Sequence, residues 1–337
     1  MKYTELVKQG QLKLFQAGIN DADYDAWILM EKICCISKTD YFVKMQDEVP
    51  EEISNAYFET IEKRITHYPL QYIIGEWEFM GLKFKVNENV LIPRQDTERL
   101  VERALYILRE KDEIEAEKEA ERAKLAKKAM QAQEAKAEMQ QAPEQSADMK
   151  VQQVSEEKEP VKILDLCTGS GCIGISLAKL YERSEITAVD ISEPALEVAR
   201  ENVKLHNLKN VKLLQSDLFE KLGDDINQIY RKFDMIVSNP PYICTDEIEK
   251  LMPEVRDYEP RLALDGAADG LRFYKNIIYQ SVNYLNPNGC ILFEIGCEQG
   301  EAVKGLLEQY HFSDVEVIRD LAGLDRVVIG WWKPDAE

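Results

Sequence analysis

The feature that most constrains the fold is an alternation of short apolar segments and amphipathic segments that starts at Val161. Runs of four to six mainly apolar residues predict strands, and the segments between them show helical spacing. The predicted strands are residues 161–166, 186–189, 211–214, 233–237, 290–295, 315–318 and 327–331. The predicted helices are residues 174–180, 194–205, 273–285 and 301–310. This alternation predicts an α/β fold with a mostly parallel, doubly wound sheet, whose last two strands make one edge antiparallel.

The residues before this alternation begin with a helical segment and a hairpin. Residues 1–75 carry apolar residues at helical spacing and no cluster of ligand-type side chains. They predict a small helical bundle, which suits a domain that docks a substrate. Residues 76–92 alternate apolar and polar residues around Gly81, which predicts a connecting β-hairpin.

A helix and a charged insertion complete the first half of the chain. Residues 93–109 predict a first helix leading into the main domain, with Asp96 or Thr97 as its N-terminal cap. Residues 110–160 hold fourteen acidic and nine basic residues and few large apolar ones. We interpret them as a solvated insertion, helical or disordered, and residues 161–337 as the main domain. A coiled-coil helix is the alternative for the insertion, although a sustained apolar seam is missing.

A glycine-rich loop follows the first predicted strand, where residues 165–174 read Asp-Leu-Cys-Thr-Gly-Ser-Gly-Cys-Ile-Gly. Glycines let the backbone approach a ligand closely, and the next helix starts with unpaired N–H groups. Asp190 ends the next strand, where a carboxylate accepts hydrogen bonds from ribose hydroxyls. A nicotinamide dinucleotide fits this pattern, since Gly169-x-Gly171-x-x-Gly174 matches its fingerprint. S-adenosylmethionine fits it equally well, and in that interpretation Asp165 faces the amino group of the ligand.

A second motif, Asn239-Pro240-Pro241-Tyr242, follows the fourth predicted strand at the end where open α/β sheets bind ligands. The prolines stiffen the turn. The side-chain oxygen of Asn239 and the carbonyl of Pro240 are two acceptors for one planar NH2 group, and Tyr242 offers an aromatic face to it. Because the lone pair of such a nitrogen is delocalised, holding both protons favours the positive charge that grows during methyl transfer. An oxidoreductase has no use for this motif, which therefore favours a methyltransferase.

Four segments, in order, closely resemble the HemK family of peptide chain release factor N5-glutamine methyltransferases: residues 69–75, 91–98, 163–171 and 239–243. The resemblance covers nearly the whole chain apart from the insertion. It implies a Rossmann-like class I S-adenosylmethionine-dependent methyltransferase domain, with a mostly parallel seven-stranded sheet and an antiparallel edge, joined to a small N-terminal helical bundle.

The resemblance also implies an activity and a site. The chain would transfer a methyl group from S-adenosylmethionine to the side-chain amide nitrogen of the glutamine in the Gly-Gly-Gln motif of class-1 release factors. The N-terminal domain would help to grip the release factor. Asn239, Pro240 and Tyr242 would be catalytic, with Pro241 completing the substrate-binding motif. The implied cofactor-binding residues are Cys167, Thr168, Gly169, Ser170, Gly171, Asp190, Asp217, Leu218 and Asn239.

Three positions depart from the family pattern. Cys167 stands where the family usually has glycine, and Gln95 where it usually has proline. Leu218 stands where an aromatic residue often packs on the adenine, so leucine is expected to stack less well. The long insertion is also atypical.

The composition and net charge of the chain argue against several other classes of protein. The net charge of −20 argues against direct DNA binding and against an adenine-N6 nucleic-acid methyltransferase, which needs a basic face. No apolar run is long enough for a membrane helix and the first residues lack a signal-peptide core, so we expect a cytoplasmic protein. The cysteines and histidines lack metal-ligand spacing, so no metal is expected. A glutamine methyltransferase for a ribosomal protein, or a non-catalytic nucleotide-binding adaptor, stays open.

Overall fold

The computed structural model describes residues 1–139, 159–224, 229–230 and 232–334. The N-terminal helices pack around one apolar core: α1 (Tyr3–Gln16), α2 (Ala22–Cys34), α3 (Lys38–Lys44), α4 (Glu51–Ile65) and α5 (Leu70–Ile74). Tyr57 of α4 is fully buried in this core, and its hydroxyl donates to the Ala26 carbonyl at 3.1 Å. A large ring whose hydroxyl is satisfied therefore ties α4 to α2.

A β-hairpin connects these helices to the main domain through β1 (Glu76–Phe79) and β2 (Leu82–Lys85). The two residues between the strands, Met80 and Gly81, have positive φ angles of 53° and 69°, as a tight hairpin turn requires. The buried amide of Asn202 accepts from Lys85 N at 2.7 Å and donates to Lys85 O at 3.1 Å. These two bonds fix the hairpin to the main domain.

Helix α6 (Gln95–Met139) runs through the predicted end of the first helix at residue 109 without a break. The insertion is therefore helical as far as Met139, and its residues 140–158 lie outside the described part of the chain. Gln95 is the first helical residue, a position that accepts proline in other helices. Asp96 and Thr97 lie within the first turn, so the prediction that one of them caps the helix is wrong.

The two halves of α6 differ in their surroundings. Its first turns pack apolar residues against the main-domain core, including Leu100, Val101 and Leu108. Farther along, Asp112 and Glu115 form ion pairs with Arg183. The helix is thus anchored to the main domain up to residue 115, and residues 117–129 are exposed to solvent.

The main domain is built on a seven-stranded sheet. Its strands are β3 (Val161–Leu166), β4 (Ser184–Asp190), β5 (Val211–Gln215), β8 (Phe233–Ser238), β9 (Leu285–Glu294), β10 (Phe312–Arg319) and β11 (Asp325–Trp332). The short strands β6 (Gly223–Asp224) and β7 (Ile229–Tyr230) pair with each other outside it. The order is β10-β11-β9-β8-β3-β4-β5, parallel from β9 to β5, with β11 antiparallel to both of its neighbours. The predicted mostly parallel sheet with an antiparallel edge is confirmed.

Both faces of the sheet are covered, as a doubly wound fold requires. The remaining α-helices are α7 (Cys172–Leu180), α8 (Glu193–Leu205), α9 (Pro253–Tyr258), α10 (Arg272–Ser281) and α11 (Gly300–Gln309). Neighbouring residues of β3 enter different apolar cores, Ile163 the one that contains α7 and Leu164 the one that contains α10. Successive strand residues point to opposite faces, so a continuous apolar strand needs helices on both sides.

The predicted C-terminal boundary of α10 is wrong. The sequence predicts a helix over residues 273–285, but α10 ends at Ser281 and Leu285 begins β9. Leu285 pairs with Phe233 of β8, and Phe233 N donates to Tyr284 O at 2.7 Å. The apolar spacing of a short segment does not distinguish a last helical turn from a first strand residue, and pairing across the sheet decides it here. No helix among the described residues has the length and apolarity needed to span a membrane.

Candidate active site

A cavity of about 220 Å³ opens where β3, β4, β5 and β8 end. Ligands of open α/β sheets bind outside the carboxyl ends of the strands, at such a place. Nine predicted site residues line it: Cys167, Thr168, Gly169, Ser170, Asp190, Asp217, Leu218, Asn239 and Pro241. Three others do not: Gly171 is the N-cap of α7, Pro240 is buried, and Tyr242 packs partly against the apolar core.

The glycine loop joins β3 to α7 and depends on close packing. Gly169 and Gly171 have φ angles of 55° and 82°, which glycine adopts without strain. A Cβ on Gly174 would come within 2.8 Å of Asp165 Oδ2 and 3.0 Å of Ile186 Cγ2. The third glycine therefore lets α7 lie directly on the sheet, which places the start of the helix beside the cavity.

Asp165 of β3 supports the glycine loop through hydrogen bonds and does not line the cavity. Its Oδ2 accepts from Thr168 Oγ1 at 2.6 Å and from Gly174 N at 2.9 Å. The side chain is fully buried, and burial raises the pKa of Asp165 to about 7. Its other oxygen, Oδ1, is buried and has no hydrogen-bond partner among the described residues, so the expectation that Asp165 faces the amino group of the ligand stays a prediction.

Asp190 does reach the cavity. Its Oδ2 accepts from Gly169 N at 2.8 Å, and its Oδ1 accepts from Ser192 N at 2.9 Å. Burial raises the pKa of Asp190 in spite of these donors. Each carboxylate oxygen has a second lone pair, so the side chain holds the glycine loop and can also accept from a ligand hydroxyl.

Two non-glycine residues of the cavity have left-handed backbones, Cys167 with φ 59° and Leu218 with φ 47°. Both are positions where the sequence departs from the family pattern. Leu218 is buried, while the neighbouring Asp217 is exposed at the rim. Leu218 thus presents an apolar surface to the cavity.

The Asn-Pro-Pro-Tyr turn is held on several sides by the main domain. Ser238 Oγ donates to Leu166 O at 2.8 Å, which ties the end of β8 to β3. Gln299 Nε2 donates to Tyr242 O at 3.0 Å. A Cβ on Gly266 would come within 2.8 Å of Tyr242 Cα, so the chain at Gly266 packs directly on the backbone of the turn. The turn is therefore rigid before any ligand arrives.

A buried polar network continues from this turn. Asn239 Nδ2 donates to Thr97 Oγ1 at 3.3 Å, and Tyr242 Oη donates to Glu294 Oε1 at 3.3 Å. Glu294 is the last residue of β9 and is fully buried. Burial raises the pKa of Glu294 to about 7, against the hydrogen bonds from Thr97 and Tyr242 and the charge of Arg326.

One wall of the cavity is formed by the segment after α9, which includes Pro260 and Leu262. Arg94, which also lines the cavity, pairs with the buried Glu259 at 2.5 Å. Arg64 of α4 pairs with Glu254 of α9 at 3.1 Å. The N-terminal helices are therefore tied to the element that carries this wall.

Several residues of the site escaped the sequence analysis. Asn202 also donates to Ser170 O at 2.9 Å, and with Gln299 and Glu294 it supports the two loops from a distance in sequence. Of these residues, Glu294 could have been found from the sequence, because it is an acidic residue at the end of an apolar strand, where ligands bind. Within the described residues, no group of three or more His, Cys, Asp or Glu is arranged to hold a metal ion.

Two family models match the chain. The model of the methyltransferase small domain matches residues 140–254. The model of the PrmC N-terminal domain matches residues 5–75. The first match spans the glycine loop and the Asn-Pro-Pro-Tyr turn, and the second spans the N-terminal helices.

Curated relatives match nearly the whole chain. A release factor glutamine methyltransferase of Clostridium botulinum is 37% identical over 96% of this chain and 97% of its own length. One from Fusobacterium nucleatum is 36% identical over 93% of this chain and 74% of its own length. One from Thermodesulfovibrio yellowstonii is 37% identical over 92% of this chain and 94% of its own length. The similarity therefore includes both the N-terminal helices and the main domain.

Proposed function

Because the chain belongs to the family of release factor glutamine methyltransferases, we propose that it methylates the glutamine of the Gly-Gly-Gln motif in class-1 release factors. The main domain is a class I methyltransferase fold, and S-adenosylmethionine is the methyl donor. The observation that carries the proposal is the position of Asn239 on the cavity wall, beside the glycine loop and Asp190.

The residues around the cavity fit S-adenosylmethionine in their chemistry. The Asp190 carboxylate has lone pairs for ribose hydroxyls. Leu218 gives an apolar contact for the adenine, and the exposed Asp217 lies at the rim. Cys167, Thr168, Gly169 and Ser170 bring backbone close to the cavity for the amino-acid end of the molecule. When bound, S-adenosylmethionine supplies an electrophilic methyl group on a sulfonium sulfur.

The chain's own residues would position the acceptor. Asn239 Oδ1 and the Pro240 carbonyl would accept the two N–H protons of the substrate carboxamide, while Pro241 forms part of the cavity wall. The packing of Tyr242 on the plane of the amide stays a prediction, because in this structure its side chain packs partly against the apolar core and its hydroxyl bonds to Glu294. Holding both protons orients the nitrogen and stabilises the positive charge that develops on it. A strong base is not needed before transfer, because the methylated nitrogen loses its proton afterwards. Positioning supplies much of the remaining rate acceleration.

The partner follows from the same proposal. We expect the N-terminal helices to help grip the release factor, because they are tied to α9 and so to the cavity wall. We expect no direct DNA binding, given the net charge of −20. A release factor substrate agrees with the cytoplasmic location expected from the sequence, which stays a prediction.

The decisive test is methyl transfer in vitro. A purified class-1 release factor, incubated with the chain and S-adenosylmethionine, should gain one methyl group on the Gly-Gly-Gln glutamine, as peptide mass spectrometry would show. A release factor whose glutamine is replaced by glutamate is the matched control and should stay unmodified. Methylation of only a ribosomal protein, or of adenine in nucleic acid, would replace the proposal by the corresponding alternative.

Asn239→Ala tests the site itself. We expect the variant to lower kcat by about 10²–10³-fold, in line with the loss of one preorganised transition-state contact. Binding of S-adenosylmethionine, measured by calorimetry, should change little, since the lost bond is one to the acceptor amide. Equal losses in cofactor affinity and in kcat would contradict the role assigned to Asn239.

A further inference from the structure

The proposed role of Asn239 raises a question of orientation. Its carboxamide has an acceptor end, Oδ1, and a donor end, Nδ2, and only Oδ1 can accept the N–H protons of a substrate amide. A rotation of 180° about the last side-chain bond would present the donor end and repel the substrate. Something in the site must therefore fix which end faces the cavity, and this inference rests on the function proposed above.

The contact that bears on this question is with Thr97. Asn239 Nδ2 lies 3.3 Å from Thr97 Oγ1, on the first turn of α6. Thr97 is only 2% exposed, although it reaches the cavity wall. Water therefore has little access to this bond. The orientation of the Thr97 hydroxyl determines whether it accepts from Asn239 or donates to it.

A neighbouring carboxyl group, that of Glu294, influences the direction of the Thr97 hydroxyl. Thr97 is a neighbour of the Glu294 carboxyl and lowers its pKa, which burial raises. In its ionised form this carboxyl can only accept hydrogen bonds, so the proton of Thr97 then points to Glu294. The same carboxylate accepts from Tyr242 Oη at 3.3 Å through Oε1, and its buried Oε2 has no hydrogen-bond partner at ordinary geometry among the described residues. A carboxylate with spare acceptor capacity favours the donor arrangement of Thr97.

With its proton given to Glu294, the Thr97 oxygen can only accept. The group that faces it must then be the NH2 of Asn239, and Oδ1 is left facing the other way. Tyr242, the last residue of the same turn, is tied to the same carboxylate. Glu294 thus holds the Tyr242 end of the Asn-Pro-Pro-Tyr motif, and Thr97 holds its Asn239 end.

We propose that Thr97 is a positioning residue, whose hydroxyl accepts from Asn239 Nδ2 and so holds the Asn239 carboxamide with its oxygen towards the substrate. Thr97 contacts no reacting atom in this scheme. Its effect is on the fraction of enzyme in which Asn239 is oriented for catalysis. The first turn of α6 is therefore part of the substrate site through its side-chain hydroxyl.

The test compares Thr97→Val, which keeps the shape and removes the hydroxyl, with Thr97→Ser, which keeps the hydroxyl. With a Gly-Gly-Gln-containing release factor as substrate, we expect Thr97→Val to lower kcat by about tenfold, the effect of losing one orienting hydrogen bond. KM for the release factor and the Kd of S-adenosylmethionine should change far less. Thr97→Ser should recover most of the wild-type kcat. An unchanged kcat in Thr97→Val, or an equal loss in both variants, would overturn the proposal.

A second measurement does not depend on activity. The side-chain NH2 protons of Asn239, followed by NMR in the 15N-labelled full chain, should be protected from exchange in the wild type and in Thr97→Ser. They should lose that protection in Thr97→Val. Equal exchange in all three proteins would overturn the positioning role even if release factor methylation is confirmed. A wild type that shows the protection but no methylation would disprove the proposed function and leave the orientation established.

Discussion

Two non-glycine residues at the cavity hold backbones that side chains disfavour. Cys167 and Leu218 have positive φ angles, and such conformations cost of order 1–3 kcal/mol each. They persist because the surrounding loops are fixed by Asp190, which accepts from Gly169 N and whose own carbonyl accepts from Ser216 N. Strain of this kind is found at ligand sites, where the backbone is shaped for the ligand.

We expect substitution of Asp190 to weaken the binding of S-adenosylmethionine strongly. Asp190→Ala removes a charge-assisted acceptor, and we expect the Kd of S-adenosylmethionine to rise by about tenfold to a hundredfold. Calorimetry measures this directly. Glu193→Ala, an exposed carboxylate that pairs with Arg200 in the same region, is the matched control and should bind normally. Intact binding in Asp190→Ala would remove this residue from the site.

Asp165 gives the stability a defined pH dependence. Its pKa is about 7 in the folded protein and 3.8 ordinarily, so between these values the folded state binds more protons than the unfolded state. The free energy of unfolding should therefore fall as the pH rises from about 4 to about 7, by at most about 1.4 kcal/mol per pH unit for one proton, and then level off. Glu294, whose pKa is also raised, acts in the same direction.

Urea unfolding at pH 5 and pH 8 checks this dependence. The decrease in the free energy of unfolding should be smaller in Asp165→Asn than in the wild type, because the variant has no carboxyl group to titrate there. The other buried carboxyl groups with raised pKa values, Glu294, Asp190, Asp25 and Glu259, stay in both proteins and contribute to the part that remains. The same decrease in both proteins would mean that Asp165 is not the group responsible.

At the scale of elements, the packing of α7 on the sheet positions the glycine loop. Gly174 allows this because its α-carbon lies directly over Asp165 and Ile186. The long helix α6 acts differently, since its first turn supplies Thr97 to the cavity while residues 117–129 extend into solvent. Only the start of α6 therefore contributes to the site.

Gly174→Ala tests the contact between α7 and the sheet. The new methyl group would meet Asp165 Oδ2 at 2.8 Å, so we expect a loss of about 1–3 kcal/mol in the free energy of unfolding. Gly305→Ala, in the exposed middle of α11 with open space around it, is the control and should stabilise the protein by about 0.5–1 kcal/mol. Denaturant unfolding measures both, and a stabilised Gly174→Ala would show that α7 can move away freely.

At the scale of the whole molecule, one arginine connects the two domains. Arg64 of α4 is nearly buried and pairs with Asp25 of α2 at 2.7 Å and with Glu254 of α9 at 3.1 Å. Tyr258 Oη adds a bond to Thr66 O at 2.7 Å across the same interface. Because α9 leads into the cavity wall, the position of the N-terminal helices and the shape of the site are coupled.

Arg64→Met should be strongly destabilising. It leaves Asp25 as a buried carboxylate without its cation, and breaking such a pair costs about 3–5 kcal/mol. Arg200→Met removes an exposed pair with Glu193, and we expect at most about 1 kcal/mol from it. Chemical denaturation of both variants provides the comparison. Similar small effects in the two would show that the buried pair of Arg64 and Asp25 does not stabilise the protein.

The sequence by itself determined the sheet, the two ligand-facing loops and the class of chemistry. These depend on local patterns: apolar alternation sets strands and helices, glycines allow the turn after β3, and Asn239 to Tyr242 stand together in the chain. Asp190 and Asn239 each follow a predicted strand of a parallel sheet, so the sequence also predicted that they share the edge where the cavity lies.

Only the tertiary structure decided which residues support the two loops. Asp165 Oδ2 bonds to the glycine loop, and Thr97, expected as a helix cap, contacts Asn239 from 142 positions away. The end of α10 and the continuation of α6 past residue 109 also depend on packing against distant strands and on Arg183. Hydrogen bonds and ion pairs between residues far apart in sequence leave no local pattern, because they form only when the folded sheet brings the partners together.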